Sequence, residues 1–307
     1  MPALLRVRRQ LPGLAWVAVA FICTVAAVVW ALAAGDAAPP TPGFLAAAIE
    51  TQEFAAGGKL ELEGEVHRGD SDEVSAHLRY VRTADTIWVQ RDCEGIWQNA
   101  RQEVRKVANY DRVTQAYIEL TCSAAGDPLT GLVGYGRYGI VADGSIPDIP
   151  LLHVSDVSLP EAIRLGVVST AWEEVGGLDC LRVDLLADVR DGERRTAWLS
   201  PGVGFCPVRI RRERGDGRVD RYFENYQQIA DGVWVPMLVR YVIRAPHPPP
   251  GVPDHGPVEW ESRTVITRAT VEPTLAGAEL SVSLPEEFVL RRETPAGYYF
   301  YALPESD

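Results

Sequence analysis

Between Ala171 and Val271 the chain reverses at Gly176-Gly177, Asp191-Gly192, Pro201-Gly202, Gly215-Asp216-Gly217 and Asp231-Gly232, and this cadence constrains the fold more than any other feature. Glycine enters left-handed backbone at little steric cost, while aspartate and proline favour tight reversals. The segments between these turns are rich in valine, isoleucine, tryptophan and tyrosine, which suit a pleated, half-buried surface. Strands are expected at Ala171 to Val175, Cys180 to Ala187, Arg194 to Leu199, Phe205 to Glu213, Arg218 to Gln227, Trp234 to Arg244 and Val258 to Val271. Successive strands on such short links pair antiparallel, because a parallel pairing needs a crossover of about a dozen residues or more. The expected fold class is mainly β: an antiparallel meander curled into an incomplete β-barrel, with covering helices.

The first half carries the same signature with a helix in front of it. Residues 36–43 read as a linker, and residues 44–307 as one domain. Thr41-Pro42 suits an N-cap followed by proline at the first helical position, so a helix is expected over Pro42 to Phe54. Leu60, Leu62, Gly64 and Val66 then alternate with Lys59, Glu61, Glu63, Glu65 and His67, the pattern of a strand with one solvated face. Val74 to Tyr80 and Thr86 to Arg91 repeat it. Trp97, Ala100, Val104 and Val107 have helical spacing, which predicts a short helix over Ile96 to Ala108. Loops with one or two short strands are expected over Ser123 to Pro150, and a brief helix over Leu159 to Leu165. Pro246 to Pro257 reads as an exposed proline-rich loop, and terminal strands are expected near Ala278 to Ser283 and Tyr298 to Ala302.

Residues 11–35 are uncharged and mostly apolar, and they follow a ten-residue tail holding Arg6, Arg8 and Arg9. A bilayer is crossed by about 20 apolar residues, and flanking arginines stay cytoplasmic. Ala31-Leu32-Ala33 offers a small-residue cleavage site, so the segment reads as a transmembrane anchor or a signal peptide. Its length and the tryptophans near its two ends, Trp16 and Trp30, favour a retained single-pass anchor. The expected location is the cytoplasmic membrane, N-terminus inside, with everything after Asp36 on the periplasmic or extracytoplasmic side.

Three arginines and no acid lie in the first 35 residues, leaving 27 basic against 42 acidic side chains, a balance of −15. That argues against nucleic acid as a partner, since phosphate backbones are bound by broad basic surfaces. Four cysteines lie beyond the anchor, in a compartment where disulfides persist. Proximity in sequence favours pairing Cys93 with Cys122. Cys180 and Cys206 are also close, but they point to opposite faces if Leu181, Val183, Val208 and Ile210 face inward.

The motifs carry little catalytic chemistry. Gly134-Tyr135-Gly136-Arg137-Tyr138-Gly139 matches the dinucleotide fingerprint, but Gly144 and Pro147 preclude the helix whose N-terminus would hold the phosphates. A glycine-rich bend beside a strand is the reading that fits. Arg68-Gly69-Asp70, with Asp72 and Glu73, reads as a solvated hairpin tip. The five histidines have no metal-ligand spacing, though His67 and His77 lie on adjacent polar strand faces. No GxSxG elbow occurs. The chain is therefore expected to be no enzyme, with no cofactor and no metal.

On Trp234 to Arg244 both faces are apolar, the mark of a doubly covered strand or of one bordering an apolar cavity. The units Ala171-Trp172-Glu173-Glu174-Val175-Gly176-Gly177 to Val183, Thr196-Ala197-Trp198-Leu199-Ser200-Pro201-Gly202 with Pro207 to Ile210, and Tyr222 to Tyr226 with Asp231 to Pro236 resemble the hairpins of the LolA-like superfamily of lipoprotein-localisation factors and envelope lipid carriers. The resemblance lies mainly within residues 171–271, and Ser200 stands where that family commonly has aspartate. It implies an unclosed barrel capped by helices around an apolar hollow. The residues expected to line that hollow are Leu60, Leu62, Val66, Trp198, Val235, Met237, Val239, Tyr241 and Trp260. The function implied is non-enzymatic binding of a lipid or acylated polypeptide, with lipid or lipoprotein acyl chains as partners. The alternative is a membrane-tethered sensor or assembly module recognising an envelope protein.

Overall fold

The computed structural model describes residues 39–303 apart from 70, 98–99, 136–145, 155–156, 189–192, 216, 246–257, 276 and 294–296. Helix α1 (Pro42–Ala55) starts where the sequence places it: Thr41 Oγ1 accepts the Phe44 N–H at 3.3 Å and proline occupies the first turn. Leu45, Ala46, Ala48, Ile49 and Gln52 form its buried face. The chain leaves it through Gly57 and Gly58, both at positive φ.

Six strands follow: β1 (Leu60–Arg68), β2 (Val74–Arg82), β3 (Thr86–Trp97), β4 (Ala100–Asp111), β5 (Ala116–Ser123) and β6 (Pro128–Tyr135). A 3-10 turn (Ile149–Leu151), two short strands, β7 (His153–Val154) and β8 (Val157–Ser158), and helix α2 (Leu159–Leu165) interrupt the meander. It resumes with β9 (Val167–Val175), β10 (Leu178–Asp188), β11 (Glu193–Ser200), β12 (Cys206–Arg214), β13 (Gly217–Ala230), β14 (Val233–Ala245) and β15 (Val258–Thr270). Strands β16 (Val289–Glu293) and β17 (Tyr299–Ala302) close the chain.

Fifteen strands form one antiparallel sheet in the order β16-β17-β6-β5-β4-β3-β2-β1-β15-β14-β13-β12-β11-β10-β9. β15 bridges the two meanders by pairing with both β1 and β14. The sheet does not close: β16 and β9 are its edges. One face, the inner, carries α1, the 3-10 turn and α2. The outer face is partly covered by the segment around Leu275–Val282, which packs on Val81 and Trp88.

Two expectations are corrected. Residues 96–97 and 100–108 form the end of β3 and most of β4, not a helix. Val104 and Ala108 face inward while Val107 packs beneath Leu280 on the outer face, and a strand covered on both sides mimics helical spacing. Around residues 278–283 a 3-10 turn (Gly277–Leu280) and extended chain replace the expected strand. β5 and β16 have no counterpart in the sequence reading. Among the described residues no helix is long and apolar enough to cross a membrane. The 11–35 segment, the proline-rich loop and the last four residues of the glycine motif lie outside the described residues.

Candidate functional site

The inner face is apolar along most of its width. One core gathers Leu45 and Ile49 of α1 and Leu159 and Ile163 of α2 with Leu181, Val183, Ala197, Ile210, Phe223 and Val239 from β10 to β14. A second joins Leu60, Leu62, Leu78, Tyr80, Val89, Ala108 and Tyr117 with Val235, Ile266, Ile146 and Tyr298. The two meet on β14, where Val235 and Val239 point the same way.

Eight of the nine hollow candidates fall on this face. Leu60, Leu62 and Val235 belong to the second core, with Met237 packed on it half-buried, and Val239 belongs to the first. Val66 is buried opposite Ala76 and Thr264. Tyr241 lies under the Arg221 guanidinium at 5.6 Å and meets Trp260 edge-to-face at 6.2 Å; Trp260, 42% exposed, stands at the rim. Trp198 is the exception and faces outward. Its strand neighbours Ala197 and Leu199 both enter the inner core, so plain alternation turns its indole to the outer face, among Cys180 and Val208. There Nε1 donates to Glu173 at 2.8 Å.

The expected Cys93–Cys122 bridge is also corrected, since all four cysteines are free. Cys93 lies opposite Val104, and Cys122 lies opposite Arg105 on the far side of β4. Neighbouring strand residues point to opposite faces, so the two thiols are two strands apart and on different faces, beyond disulfide reach. Cys180 and Cys206 occupy outer and inner cores as expected, but Val208, expected inward beside Cys206, joins Cys180 in the outer cluster at the register shift of β12.

Polar ties fix the cover. Gln52, buried within the apolar stripe of α1, donates from Nε2 to Cys206 Sγ at 2.8 Å and accepts the Trp234 N–H at 3.2 Å. Glu53 meets Arg82 at 3.2 Å and Arg112 at 2.5 Å. Arg82 in turn meets Asp148 at 2.8 Å, both side chains being 2% exposed, and Tyr80 donates its hydroxyl to the same carboxylate. Burial would lower the Arg82 pKa, but Asp148, Tyr80 and Glu53 together hold it above its ordinary value. Glu50 joins α1 to Arg164 of α2 at 2.6 Å.

Burial raises the Cys206 thiol to about 12 against hydrogen bonds from Gln52 and Tyr226, and raises Cys180 to about 11. Both stay protonated near neutrality, and a protonated thiol is a poor nucleophile. Among the described carboxyl groups the strongly shifted one is Glu193. Hydrogen bonds from Arg212 first, and from Arg195 after the opposing effect of burial, hold it at about 2. It clamps two arginines that face each other across β11 and β12.

Two clefts are polar. One of about 660 Å³ lies at the ends of β2, β3 and β4, lined by Arg68, Glu73, His77, Cys93, Glu103 and Arg105 among others. The other, about 220 Å³, lies over Gly64 beside Glu63, Glu65, His77 and Arg79. None of the nine candidates lines either cleft. His67 and His77 converge on Glu65, at 4.0 and 3.9 Å.

Sequence reasoning missed Gln52 and the Glu193 clamp. A signal for Gln52 existed: it continues the buried spacing of Leu45, Ala48 and Ile49, where a polar residue calls for partners. The clamp had none, because its arginines are scattered over two strands and look like solvated charges.

No protein-family model matches the chain. No curated protein matches it either. Among solved structures it is similar to a domain assigned to an outer membrane lipoprotein-sorting protein of Vibrio parahaemolyticus, at 12% identity and a TM-score of 0.40, over 77% of this chain and 94% of that one. A porin-like protein from Bacteroides uniformis matches at 9% identity and a TM-score of 0.24, over 68% of this chain and 97% of that one. At these scores neither likeness assigns a family or an activity.

Proposed function

We propose that this chain is a non-enzymatic envelope protein, tethered by residues 11–35 to the cytoplasmic membrane, that binds a lipid or an acylated polypeptide against the inner face of its sheet. One observation carries the reading: a broad apolar face spanning both meanders lies under a thin cover of one 14-residue helix, one 7-residue helix and a 3-10 turn. Acyl chains gain about 0.8 kcal/mol for each buried methylene, so a dry apolar surface suffices to hold them without specific chemistry. Displacing part of the cover would exchange protein side chains for acyl chains on the same surface.

The test is native mass spectrometry with lipid extraction on the full chain purified from its own envelope. A stoichiometric lipid is expected in the wild type. Met237→Glu places a carboxylate on the inner face and is expected to lose that lipid while keeping the far-UV circular dichroism of the wild type. A folded Met237→Glu variant that retains its lipid overturns the proposal.

A second reading, a tethered module recognising an envelope protein, draws on the polar lining of the 660 Å³ cleft, which suits charged side chains better than hydrocarbon. An empty inner face together with a protein cross-linked at that cleft would favour it.

A further inference from the structure

The two edges of the sheet are built differently. β16 is five residues long and carries Arg291, Arg292 and Glu293, and short charged edges resist pairing with other chains. β9 has nine residues, no proline and no lysine, and among the described residues no strand pairs with its outer side. Its register against β10 skips between Asp184 and Leu185, making Val168 an extra residue that blunts the first part of the edge. From Ser169 to Val175 the strand is regular and open. Trp172 on this stretch is 46% exposed, and Leu178, just past the following turn, is 41% exposed.

We infer that the open edge of β9 pairs with the same edge of a second copy of this chain, antiparallel about a two-fold axis at Trp172. The choice of occupant and register follows from charge. A two-fold axis perpendicular to a continuous sheet keeps inner faces together, so it must pass through a residue position. Centring on Glu173 or Glu174 sets like charges directly opposite each other, which is destabilising. Centring on Thr170 or Ala171 draws the extra Val168 into the ladder, opposite Trp172 or Glu174. An axis at Trp172 uses the whole regular stretch: Trp172 faces its own copy, Thr170 faces Glu174, Ala171 faces Glu173 and Ser169 faces Val175. No like charges meet, and an aromatic pair sits at the centre, an arrangement that stabilises sheets. Glu173 is already neutralised by Arg182 at 3.0 Å, so bringing it to the junction adds little repulsion.

The experiment uses the full chain in detergent, with its mass read by light scattering and its fold by circular dichroism. A dimer is expected for the wild type, and Trp172→Lys, which sets two cations opposite each other, is expected to halve the mass. Trp172→Cys should be joined by a short bis-maleimide to a covalent dimer well above the wild-type background, whereas Val289→Cys on the other edge should not. A monomeric wild type overturns the inference. So does a dimer whose mass survives Trp172→Lys, which would place the contact elsewhere, or a folded Trp172→Cys variant that fails to cross-link.

Discussion

Gln52 shows how one polar side chain inside an apolar stripe fixes where a helix docks. Its amide joins Cys206 on β12 and the Trp234 N–H on β14, strands separated by β13, so the position of α1 over the sheet is set by two hydrogen bonds rather than by hydrophobic contact alone. Gln52→Leu keeps the volume near that of the original but leaves the Trp234 N–H without its acceptor. A buried donor left unmet costs roughly 1–3 kcal/mol. We expect a loss of that size in urea unfolding, with the midpoint falling and the slope unchanged. Arg82 is a second such tie, held charged between Asp148 and Glu53, and it anchors the segment before the 3-10 turn as well as α1.

At the scale of the element, the glycine-rich stretch of β6 is explained by what packs against it. A Cβ on Gly134 would lie 2.1 Å from the Tyr298 ring, and one on Gly131 would lie 2.2 Å from Leu284. The Tyr298 ring is held from both ends, edge-to-face on Tyr117 at 6.2 Å and by its hydroxyl donating to the Tyr135 carbonyl at 2.7 Å. It cannot swing aside cheaply. Gly134→Ala is expected to destabilise by about 1–3 kcal/mol, the usual cost of overpacking, by denaturant titration. Gly43→Ala in α1, where nothing lies within 4 Å of the new methyl, is expected to be neutral or stabilising in the same assay. The outer face of β11–β14 has its own order: Trp198, Arg209, Tyr222 and Arg240 are directly opposite in turn, with guanidinium-to-ring distances of 4.8, 5.0 and 4.8 Å. Asp220, fully buried, accepts from Arg209, Arg211 and Arg218 beneath them.

Across the whole molecule, buried carboxylates make stability sensitive to acid. Glu193 is held at about 2 by Arg212, and against burial by Arg195. Burial alone would raise Glu61, but the Thr274 N–H, Arg79 and the Thr274 hydroxyl outweigh it and keep its pKa below the ordinary value. For an acid whose folded pKa lies below the unfolded one, the stabilisation is present above the unfolded value and is lost as pH falls through the folded one. Glu193, moved from an ordinary 4.5 to about 2, contributes about 3 kcal/mol of stability by that linkage. The thermal midpoint is therefore expected to be level from pH 7 to about 5 and to fall steeply toward pH 2. Glu193→Gln, which cannot ionise, is expected to flatten part of that fall.

The sequence by itself determined the elements whose signals are local. α1 with its Thr41-Pro42 start, α2 over Leu159–Leu165, the alternation of β1, and the hairpins from β9 to β15 all follow from caps, turns and side-chain period. It also separated Cys180 from Cys206, although pairing with β11 shifts the register at Val208 and turns that residue outward, against the alternation the separation assumed. Only the tertiary structure decided features that depend on what covers a surface. β4 looks helical until its outer face is seen to lie beneath the C-terminal segment; Trp198 looks inward until Ala197 and Leu199 beside it are seen to fill the inner core. Cys93 and Cys122 look close until β4 is found between them. Gln52, Glu193 and Gly134 acquire their roles from residues far away in sequence, at Trp234, Arg212 and Tyr298. The physical reason is range: backbone preferences and turn chemistry act over a few residues, whereas register, burial and charge pairing are settled when distant strands meet.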